Sequence, residues 1–63
     1  MPLIRARAAL AGMAAGETLV VLATDPEAPL DLAALAADEG HALTRERRGG
    51  AWRLTLTKGG AGR

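Results

Sequence analysis

The chain contains no cysteine, serine, tyrosine or phenylalanine, and Trp52 is its one aromatic residue. Without cysteine it holds no disulfide, no thiolate zinc site and no redox pair. Without cysteine and serine it also lacks the side chains that most often act as nucleophiles in group transfer. His41 is the one histidine, and a lone imidazole among scattered carboxylates does not assemble the three or four ligands of a catalytic metal. No apolar run approaches the roughly 20 residues of a membrane-spanning helix. The opening Met1-Pro2-Leu3-Ile4-Arg5 lacks the apolar stretch of a signal peptide. A cytoplasmic location, with no membrane partner, is the expectation. The formal net charge of +1 is too small to predict binding to nucleic acid or to an anionic membrane.

What remains is a chain of 63 residues that is 49% hydrophobic, much of it alanine. That suffices for one small domain with one core. Leu3, Ala6, Leu10 and Met13 recur at helical spacing behind Pro2, which predicts a first helix from about Leu3 to Ala14 that Gly16 stops. Thr18 to Ala23 is an uncharged, β-branched run and predicts a buried central strand. Asp25, Pro26 and Pro29 predict a rigid connection, with the Asp25 carboxylate accepting from nearby backbone amides. Asp31 is expected to cap a second helix that buries Leu32, Leu35 and Ala36 and ends at Gly40. Beyond His41 the period changes to two. Trp52, Leu54 and Leu56 alternate with Arg53, Thr55 and Thr57, and Gly49-Gly50 supplies the turn of a closing β-hairpin. Residues 59–63 have nothing to bury and are expected to form a disordered tail. The fold class is α+β, a two-layer sandwich with two helices on one face of a short mixed sheet, in the order α-β-α-β-β.

That order, together with several local patterns, resembles the TusA/SirA-like sulfur-carrier family. Met1-Pro2 lies on the second half of the family's Cys-Pro-x-Pro motif, and Ala15-Gly16-Glu17 matches its Pro-Gly-Glu turn with the proline replaced. Thr24-Asp25-Pro26 matches the Asp-Pro loop, Asp31-Leu32 the acidic start of the second helix, and Gly40-His41-Ala42-Leu43 a Gly-His-x-Leu segment; the hairpin ends in Lys58. The resemblance covers residues 1–58 and implies a β-α-β-α-β-β domain whose first strand is missing here. It also implies a carrier that takes a persulfide from a cysteine desulfurase and passes it to an acceptor in tRNA thiolation, cofactor synthesis or sulfur oxidation. No cofactor is implied. The family's cysteine would lie two positions ahead of Met1, so no residue of this chain is assigned a catalytic role.

The expected partner-facing residues are Met1, Pro2, Arg5, Arg7 and Asp25, because the resemblance places the thiol-presenting end of the first helix among them. Asp31 is expected to be a structural cap. Two other readings are open. The domain could serve as a protein-binding or regulatory module that pairs through an exposed sheet edge, homo-oligomers included. It could also bind nucleic acid through the hairpin arginines Arg45, Arg47, Arg48 and Arg53, although Glu46 interrupts them and Trp52 reads as a core residue.

Overall fold

The computed structural model describes residues 2–60, and side chains from residue 4 onward. Helix α1 spans Pro2–Ala11. Proline opens it where no amide proton is required, the alanines favour the helical backbone, and Ala6 and Leu10, one turn apart, are buried. The helix stops earlier than Ala14. The amides of Gly12 and Met13 fold back onto the carbonyls of Ala9 and Leu10 at 3.2 and 3.1 Å, a tightened last turn that glycine accommodates without strain. Met13 leaves the helix but still packs against the core.

Gly16 has another task than stopping α1. Its φ is +90°, its amide donates to the Lys58 carbonyl at 2.9 Å, and the Lys58 amide donates to the Glu17 carbonyl at 2.8 Å. This is the hydrogen-bond pattern of a glycine bulge, which turns the chain into the sheet. Strand β1 follows at Thr18–Ala23. Helix α2 spans Ala28–Glu39, and the hairpin strands are β2, Ala42–Arg48, and β3, Ala51–Thr57.

The sheet order is β1-β3-β2, with both neighbouring pairs antiparallel. Two expectations are corrected here. The sheet is antiparallel among the described residues rather than mixed, because β3 enters between β1 and β2, the two strands that run the same way. For the same reason β3 is central and β1 lies at an edge. The apolar run Thr18-Leu19-Val20-Val21-Leu22-Ala23 therefore alternates between partly buried and exposed positions instead of being buried throughout. Its inward residues Leu19, Val21 and Ala23 pack on the core, whereas Leu22 is 74% exposed on the uncovered face.

Helix α2 also begins earlier than its sequence suggests. Glu27 occupies the N-cap position without a side-chain hydrogen bond, and Pro29 sits in the first turn. Asp31 is therefore not the cap but a first-turn residue, whose amide already donates to the Glu27 carbonyl at 3.0 Å. Proline's fixed φ suits the opening turn of a helix and pulls the start forward. Asp31 remains favourably placed against the positive end of the helix dipole. At the other end Gly40 takes the left-handed conformation, φ +76°. His41 then donates its amide to the Ala36 carbonyl at 2.8 Å, closing the helix in a Schellman-type turn.

The core lies between the helices and the inner face of the sheet. Ala6 and Leu10 of α1, Leu32, Leu35 and Ala36 of α2, and Leu54 and Leu56 of β3 form one buried cluster. α1 packs on α2 and β1, while α2 covers β2 and β3.

Candidate functional site

The connection from α1 to β1 is a short reversal, so α1 begins over the end of the sheet at which β1 finishes. Strand register completes that end. Ala23 is paired with Trp52, and Leu22 with Arg53; Trp52 is in turn paired with Arg47 across the hairpin, and Ala51 with Arg48. The start of α1, the Thr24-Asp25 loop and the arginine-bearing hairpin tip thus share one end of the molecule.

Asp25 behaves as expected of a turn former. Its Oδ1 accepts the Glu27 amide at 2.9 Å, and its carbonyl accepts the Ala28 amide at 3.1 Å. Arg5 lines an open groove of about 630 Å³ with Ala6 and Ala9 of α1 and Leu19 to Leu22 of β1. Arg7 is turned toward the opposite end, where its Nε pairs with Glu39 Oε2 at 3.1 Å. The fold therefore separates two arginines that are close in sequence. Pro2 is the first helical residue, and Met1 lies outside the described residues.

The hairpin tip carries a contact that the sequence did not announce. The Arg47 guanidinium lies 5.5 Å from the centre of the Trp52 ring, close enough for a cation–π attraction. On the other face Arg48 approaches Glu46 at 3.5 Å, both side chains well exposed. Cross-strand pairing could be read from the alternation around Gly49-Gly50, but which strand borders β1 could not, and that decides which arginines share an end with α1.

A second cluster, at the far end, is structural. His41 Nδ1 accepts the Gly59 amide at 2.9 Å, which leaves the ring proton on Nε2, 3.6 Å from Glu39 Oε1. Lys58 Nζ donates to the Leu10 carbonyl, placing a cation on the negative end of α1. Gly59, expected in a free tail, is therefore part of the folded unit; residues 61–63 lie outside the described residues. Among the described residues no cluster of acidic or histidine side chains could hold a metal, and no helix is long and apolar enough to cross a membrane.

With this geometry in place, comparison with known proteins decides the family. The family described as Sulfurtransferase TusA matches residues 1–58. The chain belongs to the TusA family. Among curated relatives, "Putative sulfur carrier protein TsuB" of Escherichia coli is 42% identical over 59 residues, covering 90% of this chain and 79% of that protein. "Putative sulfur carrier protein NMA0882" of Neisseria meningitidis is 49% identical over 43 residues, covering 68% of this chain and 58% of the relative. The chain thus spans somewhat more than half the length of the meningococcal protein. No solved structure matches. The family fold accords with two helices over a sheet in the order α-β-α-β-β.

Proposed function

We propose that this sulfur-carrier domain serves a protein-to-protein persulfide relay, from a cysteine desulfurase to an acceptor, with the start of α1 as the exchanging end. The observation that supports the reading is the helix at Pro2–Ala11, buried through Ala6 and Leu10, within the residues that match the family. A helix start offers free amides and a positive dipole end, which favour a thiolate. In the exchange, the carrier thiolate attacks the outer sulfur of the donor's persulfide; a new S–S bond forms on the carrier and the donor leaves as a thiolate. None of the 63 residues can hold that sulfur, since the chain has no cysteine and the thioether of methionine does not form a persulfide.

The test is radiolabelled sulfur transfer from a desulfurase supplied with cysteine. The chain as it stands is expected to acquire no label, and a variant extended by Cys-Pro ahead of Met1 is expected to acquire label that a reducing agent releases. An extended variant that is folded but unlabelled by every desulfurase tried would overturn the reading.

Among the described residues β1 lies at an edge of the sheet, and this favours a second reading, a protein-binding module that accepts an extended partner segment there. The bulge fixes the phase of the ladder. Lys58 donates to Glu17, so Leu19, Val21 and Ala23 direct their backbone polar groups to β3, while Thr18, Val20 and Leu22 direct theirs to the open edge. In hydrogen exchange the amides of Leu19, Val21 and Ala23 are expected to be slow and those of Val20 and Leu22 fast. Protection of Val20 and Leu22 that grows with protein concentration would instead mark self-association.

A further inference from the structure

The hairpin tip concentrates charge. Arg45, Arg47, Arg48 and Arg53 fall within one short stretch with a single acidic neighbour, Glu46, and the remainder of the chain is net negative. Pairing across the hairpin sets Arg47 against Trp52 and Arg53 against Glu46, so Glu46 faces two arginines on one side of the sheet. No acidic residue of the hairpin shares a face with Arg45 and Arg47. These two stand two residues apart on β2, an outer strand of the sheet. Arg47 is held over Trp52, which is itself packed against the core. Its guanidinium is thus less free than a surface arginine's, and a planar fork that is already oriented loses less entropy when it takes up a carboxylate.

We propose that Arg45 and Arg47, which share one face of the hairpin, form a docking surface for a carboxylate-bearing segment of a partner protein. The assignment rests on the relay reading in naming the partner's chemistry at the end where α1 starts, but its test reads docking alone. Carboxylates fit better than a nucleic acid for a physical reason. Single-stranded nucleic acid gains much of its affinity by stacking bases on exposed aromatic rings. Trp52 is the one aromatic residue of the chain, and its ring face is taken by Arg47. A carboxylate needs no free ring.

Because Trp52 is the chain's sole aromatic residue, its emission reports directly on the Arg47 contact. The 63-residue chain is titrated with oligoglutamate, and in parallel with an RNA of similar charge, at low and at high salt. A saturable change in Trp52 emission with oligoglutamate is expected, weakened by salt. Arg45→Gln with Arg47→Gln is expected to reduce that affinity about tenfold or more, as the loss of charge-assisted hydrogen bonds implies. Lys58→Gln, which removes a positive charge from the structural cluster at the far end, is expected to leave it unchanged, and circular dichroism confirms that each variant is folded. The proposal is overturned by the absence of saturation, by an equal loss on Lys58→Gln, or by tighter binding of the RNA. Because no sulfur is transferred in this experiment, a failure of the relay leaves its outcome untouched.

Discussion

Leu54→Ala is expected to leave the chain largely unfolded, or close to it, at 25 °C. Leu54 is 0% exposed at the centre of the core, between the helices and the inner face of β3. Truncating a fully buried leucine costs about 2–5 kcal/mol, because the transfer energy of the lost atoms is joined by that of the cavity left behind. A chain of 63 residues is expected to have a total stability of only about 3–9 kcal/mol on the usual per-residue scale. The cost is thus comparable with the whole. Relief by collapse is limited, since Leu54 is paired through its backbone with Val21 on one side and Arg45 on the other. Leu22→Ala is the control: that side chain is 74% exposed, and its loss should cost at most about 0.5 kcal/mol. Urea denaturation followed by Trp52 emission compares the two. A Leu54→Ala penalty below about 1 kcal/mol would contradict the assignment of a single shared core.

Gly59→Ala carries the second large effect. A Cβ built on Gly59 would fall against the Gly40 carbonyl, with the carbonyl carbon at 2.8 Å. That carbonyl belongs to backbone held in the left-handed turn closing α2, so it cannot swing aside as a flexible side chain would. The chain end must move instead, and the Gly59 amide then leaves His41 Nδ1. The imidazole is 5% exposed, and an acceptor orphaned there costs about 1–3 kcal/mol. Movement at residue 59 also strains the Lys58 contact with the Leu10 carbonyl, so the expected loss is about 2 kcal/mol or more. Gly60→Ala, with nothing near the added carbon, should be silent in the same thermal melts. Equal melting temperatures for the two variants would show that the chain does not close over His41.

Much of the architecture was legible because its signals are local. The spacing of Ala6 and Leu10, the alternation of Trp52, Leu54 and Leu56, and the glycines at the hairpin turn each report the period of their own element. The misreadings occurred where a local signal has two outcomes. Asp31 has the chemistry of a cap, but Pro29 can stand inside a first turn, and the helix began at Ala28. Gly16 can end a helix or make a bulge, and the choice belongs to Lys58, which is distant in sequence. Gly59 resembles a tail residue until the position of Gly40 and His41 is known.

By itself, the amino-acid sequence determined the element order, the inward-facing residues of the hairpin strand β3, the family and the absence of any thiol, because composition, motif order and periodicity carry these without knowledge of contacts. Only the tertiary structure decided that β3 is central and β1 an edge, and with it that Arg47, Trp52 and the start of α1 meet at one end while Arg7 is drawn to Glu39 at the other. Strand order depends on which long-range pairing buries the most apolar surface over the whole chain, and no stretch of local sequence encodes that comparison.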